Sequence, residues 1–184
     1  MNIQYFDFLT ADTHFNHFNM LTKEDARSSF TSVEEMNEEM IAKWNQYIGR
    51  KDIVIHLGDL GFINQSRPGK ELENVLSRLK GNKKLIPGNH DSKEVLYSAK
   101  QAGFEILKPL EIIRVNRKEL YLCHYPIEVG GSSKRFSIHG HIHSTPSNQW
   151  NQINVGVEAP DTPIFGKPFS NEDIHRIVHE RIYS

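Results

Sequence analysis

The chain has 184 residues, of which 38% are hydrophobic and 24% charged, and that length and balance fit one globular domain with a core of its own. Lys plus Arg number 22 against 23 Asp plus Glu, a formal charge of −1. This argues against an extensive basic surface that grips nucleic acid through many phosphates, while leaving room for a small local phosphate site.

Taken in chain order, the segment from Met1 to Asp7 shows no basic stretch followed by an apolar one, so no secretory signal is read there. Residues 3–11 mix aromatic residues and β-formers and predict a first strand that ends at Ala11-Asp12. Ser32-Val33-Glu34-Glu35 has the pattern of a capping box. Behind it Val33, Met36, Met40, Ile41, Trp44 and Ile48 recur at helical spacing up to Gly49. Ile53–Leu57 predicts a short buried strand ending at Gly58-Asp59. Leu72, Val75, Leu76 and Leu79 mark a helix that stops near Gly81. Lys84–Pro87 reads as the next strand, running into Gly88-Asn89-His90-Asp91, and a helix over about 92–102 stops at Gly103. This alternation is the pattern of an α/β fold with parallel strands.

The second half changes character. Residues 104–115, 119–125, 135–143 and 151–157 predict strands, and a last helix starts near Ser170 with Asp173 at its third position. No repeat, low-complexity tract or linker divides the chain, so a single domain over 1–184 is expected, built of two packed sheets with helices outside. No apolar run approaches the roughly 18 residues that span a bilayer. The one cysteine, Cys123, has no internal partner, and a reducing cytoplasm is the expected location.

In open α/β sheets function collects where strands end. The predicted ends carry Asp12-Thr13-His14, Gly58-Asp59, Gly88-Asn89-His90-Asp91, Cys123-His124-Tyr125 and Gly140-His141-Ile142-His143. Every one delivers Asp, His or Asn, and three have glycine just before the polar group, which lets backbone approach an ion closely. Mixed carboxylate, imidazole and amide donors suit Mn²⁺, Fe or Zn²⁺ better than the thiolate sets of structural zinc. If these segments are extended, residues two apart share a side. Asp12 and His14 should then reach one ion together, and His141 and His143 likewise.

Other polar residues read more plainly. His56 suits a core or supporting role, and His139 a place behind the ligands. His175 and His179 suit a solvated helix face, Lys134 and Arg135 the surface, and Cys123 a small buried hydrophobe. His17 lies in the same loop as His14 and is expected to face substrate. Arg27 sits between the first motif and the first long helix, where a guanidinium would bind phosphate bidentately.

The five blocks, in this order, resemble the calcineurin-like metallophosphoesterase superfamily, whose pattern is Asp-x-His, Gly-Asp, Gly-Asn-His-Asp/Glu, a lone His and Gly-His-x-His. More narrowly, Asp12-Thr13-His14-Phe15-Asn16-His17-Phe18-Asn19, Val33-Glu34-Glu35-Met36-Asn37, Trp44-Asn45 and Asn154-Val155-Gly156-Val157 look like small cap-less phosphoesterases of bacteria and phages. The resemblance implies a four-layer α/β/β/α sandwich and two divalent metal ions, Mn²⁺ foremost, with Fe, Zn²⁺, Ni²⁺ and Co²⁺ also admitted. Carried over by position, Asp12, His14 and His143 would bind the first ion. Asn89, His124 and His141 would bind the second, and Asp59 would bridge them. His90 would contact phosphate or protonate the leaving oxygen, with Asp91 orienting it. The implied reaction is hydrolysis of phosphate esters by a metal-bridging hydroxide. Phosphodiesters are favoured, in a small substrate such as a nucleotide, a cyclic nucleotide or a nucleic-acid end. Protein phosphatase action fits less well, since Gly58-Asp59-Leu60-Gly61-Phe62 and Pro87-Gly88-Asn89-His90-Asp91 lack the arginines typical of those relatives. A nuclease on long DNA conflicts with the near-neutral charge, and an inactive scaffold with the intact ligand set.

Overall fold

The computed structural model describes residues 5–64, 69–162 and 164–183. In chain order the elements are β1 (Phe8–Thr10), α1 (Met20–Lys23), a 3₁₀ turn (Asp25–Arg27), α2 (Val33–Tyr47), β2 (Ile53–His56), α3 (Gly69–Leu76), β3 (Asn82–Leu85), α4 (Lys93–Gln101) and β4 (Glu105–Ile106). There follow β5 (Leu110–Val115), β6 (Lys118–Cys123), β7 (Arg135–His139), β8 (Gln152–Asn154), β9 (Phe169–Ser170) and α5 (Asn171–Tyr183).

The helices start where capping chemistry places them. The Ser32 hydroxyl accepts the Glu35 amide at 3.1 Å and opens α2. The Glu35 carboxylate reaches one residue further back than a standard box, to the Thr31 amide and hydroxyl. At α5 the box is reciprocal, with Ser170 Oγ accepting from the Asp173 amide and Asp173 accepting from the Ser170 amide. The buried face of α2 (Val33, Met36, Met40, Ile41, Trp44) follows the helical period and joins Val54, Leu72, Leu76 and Leu85 in one core. Trp44 meets its polar need there by donating to the Lys80 carbonyl at 2.9 Å.

The first sheet has the order β4-β3-β2-β1-β9, with its first four strands parallel and β9 antiparallel at the edge. The second has the order β5-β6-β7-β8, with β6, β7 and β8 parallel. A second core lies between them: Leu9, Ile55, Leu57 and Ile86 face Leu120, Leu122, Phe136, Ile138 and Ile153. The Ile174, Ile177 and Val178 side of α5 joins that core. Two mixed sheets with flanking helices are thus the architecture expected. Because both sheets are largely parallel, their strand ends deliver the polar motifs to one edge of the sandwich.

Three expectations need correction. Residues 104–115 are not one strand. β4 pairs in the first sheet, the Leu107 amide still bonds to Leu85, and the chain then crosses at Pro109 to start β5 in the second. The first strand is shorter than 3–11, with residues 3 and 4 outside those described. β7 stops at His139, and Gly140 to His143 leave the sheet. The elements α1 and β9 lack the length to give a periodic signal.

Candidate metal centre

The loops that carry the motifs are stitched together. Beyond β1 the Asp12, His14 and Phe15 amides donate to the Gly58, Asp59 and Leu60 carbonyls at 3.0–3.1 Å. On the other side Ala11 bridges to Gly156, and the Val157 amide donates to Ala11. The backbone here is not extended. Asp12 (φ 58°), His14 (47°), Asp59 (57°), His141 (70°) and His143 (50°) all lie in the left-handed region, where non-glycine residues are uncommon. Glycines supply the clearance between these turns. Gly58 has φ 92°, and a Cβ there would come within 2.6 Å of both the Gly88 amide and His124 Nδ1. At Gly140 a Cβ would fall 2.5 Å from Asp12 Oδ2.

This backbone sorts the donors into two groups. Asp12, His14 and His143 offer one ligand atom each within 4.8 Å of one another, and Asp59, His124 and His141 do the same. Asp59 faces both: its Oδ2 lies 3.5 Å from His14 Nε2 and its Oδ1 3.5 Å from His124 Nε2. Asn89 joins the second group through Oδ1, 2.9 Å from His124 Nε2. The convergence of His141 and His143 read from strand alternation is not seen: His143 groups with Asp12 and His14, and His141 with Asp59 and His124, the division that the resemblance implied. Both residues lie beyond the end of β7, where strand alternation no longer applies, and their rings part to different groups.

The donor set fits cations on its own chemistry. His14 Nε2 is buried and has no hydrogen-bond partner, a costly state for a ring nitrogen unless an ion meets it. Three of the histidines in these groups are oriented from the other ring nitrogen. His124 Nδ1 rests on the Leu57 carbonyl at 2.8 Å, His143 Nδ1 on Glu158, and His14 Nδ1 on His17 Nδ1 at 3.1 Å. Burial pushes the Asp12 carboxyl up to about 8, so a nearby cation is what would hold it ionised at neutral pH. Burial also keeps His14 well below the ordinary imidazole value, and lowers His124. Both are then neutral, as ligands must be. His143 is raised; burial opposes this, but its hydrogen bond to Glu158 and the charge of Asp12 outweigh it.

The remaining predicted residues divide. His90 is exposed; its ring meets His14 edge-on at 5.2 Å, outside both donor groups, and its amide donates to Asp59 Oδ1 at 2.8 Å. His17 stacks on Phe62 at 4.3 Å and lies 5.6 Å from the His90 ring. Burial, then His90, lowers it to about 4. Tyr125, 45% exposed, stands edge-on to His141 at 4.6 Å. Arg27 does not reach substrate. It is fully buried, and its guanidinium donates to Glu158 and to the Asp12 and Thr13 carbonyls. Asp91 does not orient the His90 ring either. Its two oxygens accept the Gly88, Asp59 and Leu60 amides at 2.8–2.9 Å and clasp the two glycine loops together.

The supporting residues behave as read: His56 bonds Thr13 Oγ1 at 3.0 Å, and His139 bonds Ser147 Oγ at 3.1 Å. Cys123 is half-buried rather than buried. Glu158, which holds both His143 and Arg27, was missed; it lies just beyond Asn154–Val157 but has no motif of its own. Glu24, 3.9 Å from His143 Nδ1, was missed as well.

The sequence model of the calcineurin-like phosphoesterases matches residues 8–180. The chain belongs to the calcineurin-like phosphoesterase family. Family membership carries metal-dependent hydrolysis of phosphate esters, and the two Asp/His groups are where this phosphoesterase could hold its metal. An uncharacterised protein of Methanocaldococcus jannaschii is 30% identical to it, over 94% of this chain and 91% of its own. The Gene 66 protein of Mycobacterium phage L5 is 26% identical, over 92% of each. A crystal structure of a protein of unknown function from Aquifex aeolicus shares the fold, with a TM-score of 0.69 at 24% identity, covering 92% of this chain and 97% of that one. No described helix of the phosphoesterase is long and apolar enough to cross a membrane.

Proposed function

We propose that this chain is a binuclear phosphodiesterase acting on a small nucleotide-type ester, with Mn²⁺ as its foremost metal. The observation that carries the reading is Asp59, whose two oxygens face separate donor groups at the same 3.5 Å. Two cations held there would neutralise phosphoryl charge and lower the pKa of bound water from about 15.7 to about 7. His90 would give a proton to the leaving oxygen, a role supported by its exposure beside the groups and outside them. The side chains on the substrate side favour a diester. Arg27, whose guanidinium could have added charge for a monoester dianion, is committed to the interior. A diester carries one charge and two organic groups, which suits the neutral His17 ring and the aromatic rings of Phe62 and Tyr125.

The test is metal-stripped protein reloaded with Mn²⁺, Ni²⁺, Co²⁺, Zn²⁺ or Mg²⁺ and assayed on bis-p-nitrophenyl phosphate and p-nitrophenyl phosphate. Metal-restored turnover that is higher on the diester supports the reading. Faster turnover of the monoester, or activity indifferent to metal, sinks it.

A further inference from the structure

Arg27 and the segment after β8 converge on one side of the centre. Glu158 and Arg27 pair with both side chains fully buried. One Glu158 oxygen takes the Arg27 Nε and Nη2 protons, and the other accepts from His143 Nδ1. The guanidinium also donates to the Thr13 carbonyl at 3.0 Å, to the Asp12 carbonyl and to Met36 Sδ at 3.7 Å. Asn154 completes the arrangement, donating to the His143 carbonyl at 2.8 Å while accepting the Gly156 amide at 2.9 Å. The outward bonds of this cluster, from Arg27 to the Asp12 and Thr13 carbonyls, from Glu158 to His143 Nδ1 and from Asn154 to the His143 carbonyl, end on the Asp12–His14–His143 group or on the residue between Asp12 and His14. None reaches Asp59, His124 or His141. His124 rests instead on a neutral backbone carbonyl, that of Leu57.

A buried ion pair is rarely the most stable way to fill a core; apolar residues of similar volume often do as well or better. What it supplies is fixed direction. A carboxylate on the far nitrogen of a metal-binding imidazole holds the ring's angle and tautomer and strengthens its donor nitrogen. Resting on the binuclear reading, we infer that Arg27 and Glu158 are positioning residues for the Asp12–His14–His143 site alone, and that this site therefore binds its ion more tightly than the site formed by Asp59, Asn89, His124 and His141.

The test is calorimetric titration of metal-free wild type, Glu158→Gln and Glu158→Asp with Mn²⁺, with electron paramagnetic resonance at two equivalents and thermal melting of the metal-free proteins. Gln removes the charge that Arg27 needs, so that variant risks the fold. Asp keeps the charge beside Arg27 but is one methylene too short to serve Arg27 and His143 together. Wild type should take up two ions of unequal affinity and show the spectrum of a coupled pair. In the variants the tighter ion should weaken by about 10- to 100-fold, the usual worth of such a partner. The weaker ion should stay within about twofold, and at two equivalents part of the coupled-pair spectrum should give way to that of isolated ions. Equal weakening of both ions, or no weakening in a variant that melts like wild type, overturns the inference. Uptake of a single ion by wild type overturns the binuclear reading in the first arm, and the inequality with it. If Glu158→Gln does not fold, Glu158→Asp decides alone.

Discussion

Asp59→Asn is the sharpest perturbation, because the structure says which way the new amide must face. Asp59 Oδ1 accepts the His90 amide at 2.8 Å. Only the oxygen of an asparagine can do that, so its NH₂ takes the place of Oδ2, 3.5 Å from His14 Nε2. The Asp12–His14–His143 side then loses both charge and acceptor, while the His124–His141 side keeps a neutral carbonyl oxygen. A unit charge pair 4 Å apart at an effective dielectric constant near 20 is worth about 4 kcal/mol, or about 10³ in affinity. We expect a loss of that order at the first site and a smaller loss at the second, read by calorimetric titration with Mn²⁺. The metal-free variant should melt no lower than wild type. It removes a negative charge that pushes Asp12 up, and its amide gives the unpartnered His14 nitrogen a donor. Affinities near wild type at both sites, or a loss confined to the His124–His141 side, would refute the bridging assignment.

Three further outcomes follow from other contacts. His90→Ala should leave metal content intact while turnover on an alkyl or ribose leaving group falls by about 10²–10⁴, and by less on p-nitrophenyl esters; loss of an ion would make His90 a ligand. Ser32→Ala removes the α2 cap and should cost about 1 kcal/mol, a fall of about 2–4 °C in Tm; an unchanged Tm would contradict the capping role. Burial lowers Lys83 from 10.5 to about 8 in the fold. Between those values the unfolded chain holds a proton that the folded chain has released, so stability should rise with pH there. Denaturant titrations of wild type and Lys83→Met should show wild type gaining on the variant from about pH 8 to 10.5, and a flat difference would refute the assignment.

Much of the site was legible because its chemistry is written locally. Asp12, Asp59, Asn89 and His124 each stand just beyond a readable strand, and glycines beside Asp59 and Asn89 mark the turns there. What misled was period. Strand alternation brought His141 and His143 together, whereas β7 ends at His139 and the two rings go to different groups. The roles of Arg27 and Asp91 were hidden for a different reason. Whether a charged side chain faces solvent or backbone depends on tertiary closure, and only the folded chain shows Arg27 reaching 131 residues along to Glu158. The crossing between sheets at Leu107 to Pro109 was obscured in the same way, since both halves of 104–115 favour strand and only pairing separates them.

The left-handed backbone at Asp12, His14, Asp59, His141 and His143 also bears on how such a sequence drifts. A non-glycine residue held in that region costs about 1–2 kcal/mol, and glycine is the residue each of those turns would accept most readily. Folding stability and the proposed metal binding would therefore pull in opposite directions at the same five positions. A lineage that no longer needed turnover would gain stability by replacing ligands with glycine, and would do so before its core changed. Asp or His at each of the five is thus a residue that the backbone alone would not favour.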